Sequence, residues 1–191
     1  MKPYMLPPVT VPPDWRRQLR SLVLDRPLTF AEAQRSAAAQ ARQLRSWLRR
    51  TPRALTVDVL ARLPGLTLRC TSLRGSRTPL SSHSSYQRGG WHIHTDAALP
   101  TWMRRWVVAH EIKHILDASL VAEQMRLLTL QQRETLCDYF AAALLIPTRS
   151  DLKQWRSQGR PCYSADGISD TITSPGPEVS KDDLTPIGDS G

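Results

Sequence analysis

Val107-Val-Ala-His110-Glu111-Ile112-Lys113-His114-Ile-Leu116 places two histidines four residues apart among aliphatic side chains. On a helix such residues lie on one face, a turn apart, and present two imidazoles to a single ion. Glu111 stands one step further round. It is badly placed to ligate that ion and well placed to reach a water bound to it, which is the arrangement metal-assisted hydrolysis requires. With 5 His and a similar number of Glu in 191 residues, chance produces His-Glu-x-x-His somewhere in the chain with a probability of roughly 0.3%. Ordinary histidines on an amphipathic helix are therefore a poor account of the pattern.

A catalytic zinc ordinarily takes three protein ligands and a water. No histidine follows His114, which excludes the metzincin and SprT-like patterns in their usual form. The third ligand is then a downstream carboxylate or cysteine, or an upstream histidine: Asp117, Glu123, Glu134, Cys137, Asp138, His83, His92 or His94. Glu134 is the best of these, because it sits on a strongly helical stretch, Gln131 to Ile146, long enough to pack against the histidine helix. Asp138 lies one turn further along the same face. It is placed to accept a hydrogen bond from the distal nitrogen of a metal-bound imidazole.

Working outward, Thr101, Trp102, Trp106 and Val107 lead helically into the motif, and Pro147 ends the following helix. Upstream, Thr29 with Glu32 forms a capping box for a helix carrying Phe30, Ala33, Ala37, Ala41, Leu44 and Leu48 at helical spacing. Arg35, Arg42, Arg45 and Arg49 fall off that stripe and read as a solvated face. A shorter helix starts at Thr56, with Leu55 and Leu60 as a hydrophobic staple, and stops at Pro64-Gly65. Leu66 to Thr71 alternates as a half-buried strand, and Trp91 to Thr95 alternates again after Gly89-Gly90. The stretch from Arg74 to Gly90 reads as loop, with one weak strand near Leu80. Thr148 and Asp151 are placed to cap a last helix closed by Gly159.

These elements predict an α+β fold: a small zincin-like domain, mainly helical, with a short mixed sheet packed on the active-site helix. Its expected limits are residues 28–159, preceded by an extended basic, Pro-rich arm over 1–27 and followed by a flexible acidic tail over 160–191. The apolar stretch from Phe140 to Ile146 is far too short to span a bilayer, and the N-terminal residues have no signal-peptide pattern. Three cysteines form no disulfide framework, so a cytoplasmic setting without membrane attachment is expected. The net charge of +9 is almost wholly arginine. Those arginines are spread along helices and not interleaved with aromatics, so direct nucleic-acid binding is the less favoured use of the charge.

Glu134-Thr-Leu-Cys137-Asp138-Tyr139-Phe-Ala-Ala-Ala-Leu-Leu-Ile-Pro147, coming after His110-Glu-Ile-Lys-His114, resembles the ImmA/IrrE family of metallopeptidases, bacterial or phage regulators with a gluzincin-like fold. The strand Gly90 to Thr95 and the helix-strand start from Thr56 to Ser72 fit the same pattern, so the resemblance covers about Phe30 to Trp155. It implies Glu134 as the third ligand and a helix-turn-helix repressor as the protein substrate. Cleaving or otherwise inactivating that repressor would switch on a stress response or mobile-element genes. Two positions depart from the family: Lys113 stands where Gly is common, and Cys137 where a small Ala is usual.

The chemistry expected is that of a zinc endopeptidase. His110, His114 and Glu134 hold the ion, and Glu111 takes the proton of the attacking water and delivers it to the leaving amine. His92, His94 and Tyr139 are candidates for a donor to the developing oxyanion or for substrate contact. Zinc suits two imidazoles and a carboxylate best, and manganese or iron(II) can use the same donors. The alternative is a regulator on the same fold that binds a repressor without cutting it.

Overall fold

The computed structural model describes residues 11–48, 55–71, 82–118, 120 and 122–146. In chain order these form α1 (Trp15–Arg20), α2 (Phe30–Leu48), α3 (Val57–Leu60), β1 (Leu66–Thr71), β2 (Ser82–Gln87), β3 (Gly90–Asp96), α4 (Thr101–Asp117), α5 (Ala122–Met125) and α6 (Leu130–Leu145). This is the expected α+β, zincin-like arrangement. The motif helix α4 is its pivot, packing against α1, α3, α6 and the inner side of β2 and β3. Because neighbours surround it, α4 buries side chains in nearly every direction; Val108, Ala109, Ile112, Ile115 and Leu116 have no exposed surface.

The sheet order is β1-β3-β2, with β1 parallel and β2 antiparallel to β3. Arg88 (φ 49°) and Gly89 (φ 81°) turn β2 into β3. Two successive left-handed residues make the tight hairpin whose twist matches that of the strands. Register sorts the side chains. Ile93 and Thr95 lie across from Ser84 and Ser82 on β2 and beside Leu68 and Cys70 on β1, all on the face toward α4. His92 and His94, with Ser85, His83, Thr67 and Arg69, occupy the outer face. The stretch expected to be loop with a weak strand near Leu80 thus contains a full strand at Ser82–Gln87. Its sequence hides the strand because two of the three positions on the inner register, 82 and 84, are serines, so apolar alternation is missing. Cys70, expected to be half-buried, is exposed near the strand end.

Helix α2 lays its small-residue stripe, Ala33, Ala37, Ala41 and Leu44, toward α6, and all four are buried. The capping box at its start forms: the Thr29 amide donates to Glu32 Oε2 (3.0 Å) and the Glu32 amide to Thr29 Oγ1 (3.4 Å). A second box, Thr129 with Gln132, starts α6. Arg45 does not belong to a solvated face. Its Nη1 donates to the Ala143 carbonyl at 2.8 Å, near the end of α6. Arg20 does the same for α4, donating to the carbonyls of Leu116 (3.0 Å) and Ile115 (3.3 Å). Both guanidiniums stand at the negative end of a helix, where orphan carbonyls need donors. The arm expected over residues 1–27 contributes Trp15 and Leu19 to the same core as α4 and α6. The expected stop at Pro147, the helix capped by Thr148 and Asp151, the tail 160–191 and the first ten residues of the arm lie outside the described residues.

Candidate active site

Helices α4 and α6 face one another across a cleft of about 1020 Å³ whose walls also include Ser82 and Ser84 of β2 and Met125 of α5. From α4, the two histidines converge: His110 Nε2 and His114 Nε2 are 3.1 Å apart. From α6, Glu134 Oε2 stands 3.4 Å from the first and 3.5 Å from the second. Donors about 2.0–2.1 Å from a tetrahedral zinc are separated by about 3.3–3.4 Å, so this triangle fits such an ion without rearrangement. The Cys137 sulfur forms a looser group with the same histidines, its ligand atoms lying within 4.8 Å of one another. Cys137 is almost wholly buried, and that burial pushes its thiol pKa up, disfavouring the thiolate a metal requires.

Asp138 lies one turn beyond Glu134 on α6. Its Oδ1 is 2.9 Å from His110 Nδ1 and also accepts from Trp106 Nε1 at 3.2 Å. The carboxylate orients the ring so that Nε2 points into the triangle. Burial works against a charge on His110, but the hydrogen bond and charge of Asp138, with Glu111 and Glu134 behind them, hold its pKa above the ordinary value.

Glu111 is buried at 6% exposure. Its Oε1 accepts from the Ser82 hydroxyl at 2.9 Å. Next along the helix, buried Lys113 pairs with Asp117 one turn on. That pair accounts for the departure from glycine at 113: the ammonium is neutralised inside the fold, and the Asp117 carboxylate is engaged rather than free to ligate. Glu123 of α5 pairs with Arg126 just beyond that helix and does not line the cleft.

The cleft therefore brings together His110, Glu111, His114, Glu134, Cys137 and Asp138. It does not include three residues expected near substrate. His92 and His94 lie on the outer sheet face, and Tyr139 packs against the core; among the described residues none of the three lines the cleft. His83 borders it, with its ring stacked on His94. Ser82 and Trp106 were not singled out in the sequence. Both contacts are set by tertiary pairing 29 and 32 residues away, and only the position of Trp106 one turn before His110 offered a signal.

A convergent pair of helix-borne imidazoles, a facing carboxylate and a buried glutamate beside them on a zincin-like fold make a candidate metal site. The family model for the IrrE N-terminal-like domain, peptidase M78, matches residues 72–161, so the chain is similar to that family over the stretch that carries His110, His114 and Glu134. No curated protein and no solved structure matches it.

Proposed function

We propose that this protein is a zinc-dependent endopeptidase that cleaves a helix-turn-helix transcriptional repressor in the cytoplasm, relieving repression in a stress response or in mobile-element control. The observation that carries the reading is the closed triangle of His110, His114 and Glu134, with Glu111 one residue along the same helix. The repressor as substrate is supported by the family resemblance. No described helix is long and apolar enough to cross a membrane.

His110, His114 and Glu134 would hold the ion, with Glu134 preferred to Cys137 because its oxygen closes the tighter triangle. A zinc ion bound there would supply Lewis acidity towards a peptide carbonyl and would make a water acidic enough to lose its proton near neutral pH. Glu111 takes that proton and delivers it to the leaving amine. Its burial keeps competing bulk water away from the carboxylate, and Asp138 keeps His110 in the tautomer that offers Nε2.

The test is zinc content together with repressor cleavage, for the wild type and Glu111→Gln. Zinc in both proteins, with cleavage by the wild type alone, is the expected result. A Glu111→Gln chain that relieves repression as well as the wild type would replace the peptidase with the non-cutting regulator.

A further inference from the structure

We infer that Ser82 is the positioning residue for Glu111, so that the outer strand of the sheet aims the general base; this rests on the peptidase reading above. The sequence separates the two residues by 29 positions, and the hairpin register joins them. Ser82 pairs with Thr95, which is fully buried on the inner face of β3. Directly opposed residues of an antiparallel pair share a face, so the Ser82 side chain is directed toward α4. Its hydroxyl reaches Glu111 Oε1 at 2.9 Å.

The chemistry sets the direction of that bond. An ionised carboxylate only accepts, so the hydroxyl must donate. One oxygen of Glu111 is thereby occupied, and the other is left to take a proton. A glutamate side chain otherwise has considerable rotamer freedom to lose, and a buried carboxylate without a donor is costly. Ser82 answers both requirements with the smallest side chain that carries a hydroxyl. The next inward residue of β2, Ser84, is also small and also borders the cleft. Bulky side chains at these two positions would fill part of the cleft that they line. The edge strand thus leaves room for a peptide while fixing the group that must act on it.

Displacing a reacting group by about 1 Å costs on the order of 100-fold in rate. Ser82→Ala is therefore expected to lower kcat by about 10- to 100-fold with KM little changed. Ser82→Thr, which keeps the hydroxyl and suits a strand, is expected to restore most of it. Ser85→Ala, on the outer face of the same strand, controls for general loosening of β2. The experiment uses the full zinc-loaded chain and a mixture of quenched-fluorescent peptides, with zinc content measured for every variant. A second readout needs no activity. In the metal-free chain the drop in unfolding midpoint caused by Ser82→Ala is expected to vanish in a Glu111→Ala background, because the partner is gone.

Ser82→Ala with full kcat, beside an inactive Glu111→Gln, overturns the positioning role and leaves the peptidase reading standing. Stability losses that simply add in the double variant overturn the contact itself, whatever the chain hydrolyses. A wild type that binds zinc and cuts nothing removes the peptidase reading and the positioning role with it, even where the two residues prove coupled in stability.

Discussion

The molecule holds two histidine pairs of nearly equal spacing and opposite character. The rings of His110 and His114 are 4.8 Å apart and inclined at 62°, while those of His83 and His94 are 4.7 Å apart and within 2° of parallel. The first pair comes from one helix and points its Nε2 atoms together, toward Glu134, with Asp138 behind one ring. The second is stacked across two strands, with Arg69 and His92 beside it. Asp138, Glu111 and Glu134 raise the His110 pKa against its burial. Burial lowers that of His94, and the positive or protonatable neighbours His83, Arg69 and His92 lower it further. Proximity of two imidazoles does not make a metal site. Convergent nitrogens and nearby negative charge do, and the helical pair alone has both.

The hardest way to break this contrast is to remove donors. His114→Ala and Glu134→Ala are each expected to reduce bound zinc from about one per chain to a small residue and to abolish cleavage, while His83→Ala and His94→Ala leave the zinc in place. Metal analysis of the purified variants decides it. Zinc retained in Glu134→Ala but lost in Cys137→Ala would give the third position to the thiolate.

The two faces of β3 offer a second contrast, in stability. Ile93 has no exposed surface and packs in the main core, so Ile93→Ala is expected to cost about 2–5 kcal/mol. His94→Ala, one residue along and facing outward, should stay within about 1 kcal/mol. Denaturant unfolding of the metal-free proteins measures both, and equal losses would mean the outer face is covered. A smaller effect is expected at the carboxylate that distinguishes the helical pair. Asp138→Asn keeps the shape and removes the charge, and should weaken zinc binding about 10- to 100-fold without abolishing it. Unchanged affinity in a chelator competition would make Asp138 a packing residue only.

How legible each pair was follows from what holds it together. His110 and His114 are related by the helix period, so sequence spacing alone put them on one face, and the same period carried Glu134 and Asp138 on the next helix. Capping at Thr29 and Thr56 was equally local. His83 and His94 are joined by register, which depends on the turn at Arg88-Gly89 and on which strand face is buried. Neither is written in Ser82 to Gln87, where no apolar residue alternates. The link from Ser82 to Glu111 was hidden for the same reason. Arg45 misled in another way: its spacing reads as a solvated face, and only the fold shows it on a helix-end carbonyl, as it also shows Arg20 on the end of α4 and Lys113 paired with Asp117.

The smallest expected effect separates the pairs by the sign of their response to acid. The folded chain holds the His94 pKa below its ordinary 6.5, so the unfolded chain binds the proton more readily. Above about pH 6.5 both states are neutral at this ring and its contribution is complete. As pH falls below 6.5, the unfolded state takes up the proton first and stability is lost, until the folded ring is protonated too. His94→Gln removes that loss, so the wild type should fall behind the variant as pH is lowered from 7 toward 5. The ring is only partly covered and its neighbours are screened by solvent, so the difference should be only about 1–2 °C in Tm. His110 has the opposite sign in the metal-free chain, its raised pKa adding stability on the acid side, and it is common to both proteins, so it drops out of the comparison. Parallel Tm curves for wild type and His94→Gln would mean that the positive neighbours of the stacked pair exert no net cost on its protonation, and the electrostatic half of the contrast would fall.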